Sequence, residues 1–222
     1  MRHILTPLIV LLMAIAAPLA VADDESPVEQ PSKEGANAVG ACLDAGQVWL
    51  YVTDVDGTVV ANQCVGTPDN GEAALRAANV TIEHGKGGLI CALGGRPSPC
   101  PKTFDGSFWN YWHASADKGW EFSSKGAKEW KPKPGTIEGW CRNSKDTEGC
   151  TPKPLRIEMD GELQLPSGVS EADLADPEVV MPEAAPESGF PTGTVVAVGL
   201  IVVLGATAVV IVRQRRRGAS QA

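Results

Sequence analysis

Apolar and polar residues alternate over residues 47–53, with Val48, Leu50 and Val52 on one side and Trp49, Tyr51 and Thr53 on the other. A period of two in β-favouring residues predicts a strand. Asp54-Val55-Asp56-Gly57 follows as a turn and Thr58-Val59-Val60 opens a return strand, so the segment reads as a hairpin. Residues 67–70 (TPDN) offer helix caps, and the Ala/Leu-rich residues 72–78 predict a short helix with an acid in its first turn. Strands are expected over 79–82 and 89–93, on either side of Gly85-Lys86-Gly87-Gly88. Residues 104–140 should supply two or three more short strands, punctuated by Gly106, Gly119, Gly126 and Gly135. Two stretches have no sustained period: residues 23–40 and 158–191 are acidic and contain prolines. They predict a disordered leader and a stalk, because such composition buries too little apolar surface to offset ordering entropy.

The termini carry signals of export and anchoring. Arg2, the apolar run 8–19 and Ala20-Val21-Ala22 have the form of a secretory signal peptide over residues 1–22, cleaved after Ala22. Residues 192–212 are uncharged and largely apolar and are followed by Arg213, Arg215, Arg216 and Arg217. That pattern predicts a transmembrane helix with a basic cytoplasmic tail over 213–222. The expected product is a single-pass type I protein of the cell membrane, with its main domain, residues 41–157, outside. Phe190-Pro191-Thr192-Gly193 approximates a wall-sorting signal but is one residue short, so a plain membrane anchor is the better reading.

Charge changes this picture little once it is divided along the chain. Of the formal net charge of −8, residues 23–40 contribute five acids and one lysine, and residues 158–191 contribute nine acids and no base. Residues 41–157 hold thirteen of each sign, so the domain is neutral and has no basic footprint for nucleic acid. All six cysteines, Cys42, Cys64, Cys91, Cys100, Cys141 and Cys150, fall in that domain. An even count in an exported chain predicts three disulfides. Separations of nine residues favour Cys91–Cys100 and Cys141–Cys150 as local staples, which leaves Cys42–Cys64. Together these features predict a small α+β domain stapled by disulfides.

The candidate chemistry is mostly aromatic. Residues 104–140 hold five of the six tryptophans, and Phe108, Trp109, Tyr111 and Trp112 fall within five positions. Aromatic rings supply both burial energy and ligand platforms. Trp109, Asn110, Tyr111, Trp112 and His113 are therefore the expected ligand-binding residues. On a strand, Trp109, Tyr111 and His113 share one face and Asn110 and Trp112 the other, so one set must be core; alternation leaves open which. Other motifs weigh less. Asp54-Val55-Asp56-Gly57-Thr58 is similar to the first motif of haloacid-dehalogenase-type phosphatases, but the domain downstream has no adjacent acidic pair and no repeated strand–helix pattern. The same residues start like a calcium loop, but the twelfth position is Val65. His84 and His113 have no serine or cysteine nucleophile with a plausible third partner. No enzymatic activity, metal or cofactor is expected.

The hairpin, Glu72-Ala73-Ala74-Leu75-Arg76-Ala77-Ala78, Phe108-Trp109-Asn110-Tyr111-Trp112 and the closing Lys133-Pro134-Gly135-Thr136-Ile137-Glu138-Gly139-Trp140 occur in an order that resembles a bacterial family. Its members look like the C-terminal domain of transcobalamin. The resemblance spans residues 45–142. It implies a β-grasp-like fold and capture of a corrinoid, or a similarly flat and partly apolar small molecule, with a vitamin-transport complex as partner. The alternative is a structural or adhesive surface protein that binds another protein or a polysaccharide.

Overall fold

The computed structural model describes residues 28–183. Helix α1 (Ala38–Asp44) starts at Asn37, whose side-chain oxygen accepts the Gly40 N–H at 2.9 Å. Strands β1 (Trp49–Thr53) and β2 (Val59–Cys64) form the expected hairpin; Asp54 N–H donates to Thr58 O at 2.8 Å, and Gly57 turns the chain at φ 82°. Helix α2 (Gly71–Ala77) is capped by Asn70 through the Ala73 N–H at 2.9 Å, and Asn79, at φ 57°, follows its end. β3 (Ile82–His84) begins later than the residues expected to be extended, because Asn79 still belongs to the turn out of α2. It pairs with β4 (Ile90–Leu93). The aromatic stretch supplies β5 (Trp109–Ser115), β6 (Lys118–Phe122) and β7 (Ile137–Arg142), and the short hairpin of β8 (Ile157–Met159) and β9 (Glu162–Gln164) follows.

Five strands form one sheet in the order β2-β1-β7-β5-β6. β1 and β7 are parallel and the other pairs antiparallel. Successive side chains of a strand point to opposite faces, and here both faces are covered. On one, Leu50, Val52, Trp109, Tyr111 and Trp140 pack with Leu75 and Ala78 from and beside α2 and with Leu93 of β4. On the other, Trp49, Tyr51 and Ile137 pack with Val39 and Leu43 of α1 and with Leu155 and Ile157. This is a small α+β domain, mostly sheet, with two α-helices. Its three disulfides are Cys42–Cys64, Cys91–Cys100 and Cys141–Cys150, with Cα–Cα distances of 5.8, 5.6 and 6.0 Å. Cys42 reaches Cys64 because α1 folds back over the sheet face, placing it beside the end of β2 rather than on a continuation of β1.

The domain is longer at both ends than residues 41–157. Gln30, in the expected leader, accepts the Cys64 N–H and donates to Cys64 O through one side-chain amide, at 2.9 and 3.0 Å. Asn37 joins the two ends: it also donates to Arg156 O at 2.7 Å and accepts the Glu158 N–H at 3.1 Å. In the expected stalk, β8 and β9 turn at Asp160-Gly161, and Val180 pairs with Asn62 on the outer edge of β2 through two backbone hydrogen bonds of 2.9 Å. The physical reason is a shared surface: α1 and the segment from Leu155 onward complete one sheet face, which neither covers alone. The expected signal peptide, the transmembrane segment 192–212 and the basic tail lie outside the described residues. No helix among the described residues is long and apolar enough to cross a membrane.

Candidate functional site

The face under α2 is incompletely covered, and the gap is built by the loop between β4 and β5. Cys91–Cys100 ties the start of this loop to β4. Its far end is a tight Asp105-Gly106-Ser107 turn, in which Asp105 Oδ1 accepts the Ser107 N–H and hydroxyl at 2.9 and 2.7 Å. These bonds hold the Asp105 carboxyl below its ordinary range. Gly106 has φ 103°, a conformation that suits glycine, and a Cβ there would approach Lys145 O at 3.0 Å. Buried Asn143 clamps the turn: its Oδ1 accepts the Phe108 N–H at 3.0 Å, and its amide donates to Gly106 O, also at 3.0 Å. Trp109 Nε1 secures the other side by donating to Arg96 O at 3.2 Å.

A loop held this way presents its side chains in a fixed arrangement. Phe104 is 77% exposed, Phe108 lies 6.3 Å from it between ring centroids, and Leu89 across the gap is 75% exposed. Between them runs a cleft with two adjoining compartments of about 480 and 640 Å³. Leu89, Ile90, Phe104 and Phe108 line both, and Trp109, Tyr111 and Trp140 lie beneath the larger. Lys86, Lys102, Lys125 and Lys128 stand along the lining. Large exposed apolar side chains gathered around a concavity mark an interaction site far more strongly than scattered ones.

The five residues expected to bind ligand are divided by the structure. Trp109 and Tyr111 share a face as their alternation requires; it is the one under α2, where they are only 8% and 7% exposed. They form the floor of the cleft, not an outward platform. Asn110 is buried and belongs to the clamp, donating to Asn143 Oδ1 at 3.1 Å and Phe108 O at 3.2 Å. Trp112 points to the opposite face and meets Phe122 edge-on at 5.1 Å. His113 stacks on Trp130 with centroids 3.9 Å apart, and its Nδ1 lies 3.0 Å from the fully buried Glu138. Glu138 also accepts hydrogen bonds from Tyr111 Oη and Trp130 Nε1. Burial, the adjacent Glu138 and this hydrogen bond raise Tyr111 far above the ordinary phenol range. Gly71 is required here, since a Cβ would collide with Tyr111 Oη. The network pins the sheet from the core side, and a small recess of about 180 Å³, flanked by Lys118 and Lys133, opens beside His113.

The aspartates of the hairpin turn are already engaged. Burial alone would raise Asp54, but hydrogen bonds from Arg142 Nε (2.6 Å), the Val55 amide (2.7 Å) and Arg96 (3.1 Å) outweigh it and hold the carboxyl below its ordinary range. Asp56 caps the Thr58 N–H at 2.9 Å and faces Arg96 at 3.3 Å. Among the described residues, no group of three or more His, Cys, Asp or Glu could hold a metal ion. The residues that line the cleft most openly, Leu89, Phe104 and Phe108, were absent from the expected set; the Phe-Asp-Gly-Ser-Phe spacing, two aromatics around a turn, is the signal that points to Phe104 and Phe108, and Leu89 carries none. No protein-family model, curated protein or solved structure matches this chain.

Proposed function

We propose that this chain is an exported ligand-binding module that captures a partly apolar small molecule in the cleft between Leu89 and the Phe104–Phe108 loop. The observation that carries the reading is the pairing of strongly exposed apolar side chains with a loop clamped by buried polar groups. Exposed apolar surface costs solubility, and a rigid loop limits the entropy lost on binding, so the two together favour a ligand site. A corrinoid, or a molecule of similar flatness, is the leading candidate, with one face laid over the cleft. The sheet order supports a β-grasp-like description: an N-terminal hairpin, a helix crossing one face, and a late strand, β7, returning parallel beside β1. On this reading residues 1–22 are removed on export and 192–212 anchor the chain, with the domain outside the cell. Binding here is not catalysis.

Fluorescence titration with cobalamin tests the proposal directly, because Trp109 and Trp140 underlie the larger compartment. Saturable quenching should appear in the full chain and weaken at least tenfold in Phe104→Ala/Phe108→Ala. Quenching that survives the double substitution unchanged would move the site elsewhere. The adhesive reading draws on one observation, the outer edge of β6, unpaired among the described residues, with Phe122 55% exposed; it predicts that substitutions at Phe122, and not at Phe104, reduce attachment of cells to surfaces.

A further inference from the structure

We infer that the ligand of this cleft is an anion: an apolar aromatic or alkyl body carrying a carboxylate or phosphate group. The inference rests on the cleft being a ligand site and adds the charge its occupant must bear. Four lysines line the two compartments, Lys86 and Lys102 in one and Lys125 and Lys128 in the other. Three acids also line them, Asp105, Glu72 and Glu129. Glu72 is already engaged: its side chain is 3% exposed, and its oxygens meet Arg76 at 2.7 Å and His84 at 2.8 Å, with Lys128 further off at 3.7 Å. Asp105 is turned to its own Ser107. Arg142, which also lines the smaller compartment, is likewise balanced, because its Nε is held by Asp54 at 2.6 Å.

What remains is Lys86, Lys102 and Lys125, none of which makes an ion pair among the described residues, together with a Lys128 that is 63% exposed, set against two carboxylates with no cationic partner among the described residues, Asp105 and Glu129, which leaves a surplus of two positive charges. This cationic surplus lies within residues 41–157, which hold thirteen acids and thirteen bases in all. Its placement matters more than its size. Ammonium groups beside low-dielectric apolar walls attract anions more strongly than the same groups on an open surface. Leu89, Ile90, Phe104 and Phe108 can take the apolar body, leaving the acidic group at the lysine rim. A neutral ligand would use the walls alone and leave the surplus charge unexplained.

A pair of dyes with one body separates the two terms. 1-Anilinonaphthalene-8-sulfonate is anionic and N-phenyl-1-naphthylamine is its uncharged counterpart. Both are titrated against the full chain in neutral phosphatidylcholine nanodiscs, with protein-free discs as the blank. The sulfonate should bind at least tenfold more tightly at low salt, and the advantage should shrink at about 0.5 M salt, where screening is nearly complete beyond a few ångströms. Lys86→Glu/Lys102→Glu and Lys125→Glu/Lys128→Glu should abolish the advantage while leaving the neutral dye unaffected. Phe104→Ala/Phe108→Ala should weaken both dyes. Competition by 1-naphthyl phosphate against 1-naphthoate then identifies the acidic group, and preference for either supports an anionic ligand. Equal binding of the two dyes with no effect of the lysine substitutions overturns the inference and leaves the ligand-binding reading intact. Failure of both dyes and of cobalamin to bind removes the reading itself.

Discussion

The two faces of the central sheet come from the same strands but are closed in different ways. Over Trp49, Tyr51 and Ile137 the chain places α1 and the segment that begins at Leu155, so residues from both ends of the domain meet and are tied at Asn37. Over Leu50, Val52 and Trp140 it places α2 and the β3–β4 hairpin, which stop short and leave the cleft. The first face buries Trp49 and Tyr51 completely or nearly so. The second uses Trp109 and Tyr111 as a floor and displays Phe104, Phe108 and Leu89 above it. Adjacent regions of one small domain are therefore closed to different degrees, each with its own staple: Cys42–Cys64 for the closed face and Cys91–Cys100 for the open one.

The largest test of this division is Trp49→Ala. It deletes a fully buried indole and strands Asn62 Oδ1, which accepts Trp49 Nε1–H at 2.8 Å. Urea unfolding should show a loss of about 3–5 kcal/mol. Opening Cys42–Cys64 by double serine substitution should cost about 3 kcal/mol, from the 22-residue separation it closes. The Cys91/Cys100 pair should behave differently: its removal should raise amide exchange within residues 94–108 while exchange in β1 and β7 changes little. If both disulfides loosen the whole domain equally, the faces are not separate units.

How far the sequence carries follows from the range of each interaction. The first hairpin, α2 and two of the three cysteine pairs were legible because their signals are local: Asp56-Gly57, an Asn cap before an Ala/Leu run, and separations of nine residues; Cys42–Cys64, 22 apart, followed only by elimination. The ordered ends were not. Asn37 meets Arg156 and Glu158 across 119 and 121 residues, and acidic composition hides Leu155, Ile157 and Met159, which alternate with polar neighbours. Asp160-Gly161 was a visible hairpin signal, but the strands it joins are three residues each, too short to show a period. Alternation correctly grouped Trp109 with Tyr111, but it says only which side chains share a face. What lies over that face depends on α2, which packs there from a distant stretch of the chain.

Smaller effects sharpen the comparison. Asn143→Ala removes the clamp on the Phe108 amide and Gly106 O and should destabilise by about 1–3 kcal/mol, with a parallel loss of ligand affinity. Asp54 supplies a pH test. Its folded-state pKa is depressed below an unfolded value of about 3.9, so its contribution is complete above that value and is lost as pH falls through the depressed one. Asp54→Asn should lower stability at neutral pH and flatten the acid limb of a stability–pH curve; an unchanged limb would show that Arg142 and Arg96 do not hold this charge. Smallest of all, Phe104→Ala should change stability by no more than about 0.5 kcal/mol, as exposed positions do. A larger cost would place Phe104 in the core and erase the distinction between the faces.

The bridge between Val180 and Asn62 decides how the domain answers to force. The chain continues past residue 183, and any pull applied from that side reaches the described fold through residues 177–182. The first bonds in line are the two backbone hydrogen bonds at Asn62 and the Asn62 amide bonds to Pro177 O and Glu178 O, at 3.0 and 2.9 Å. These can break in succession, like a strip lifted from an edge. Behind them β2 is locked to α1 through Cys64. Single-molecule stretching from the C-terminal side should therefore record a weak first yield of a few residues, then a much stronger one, with the cleft undisturbed in between.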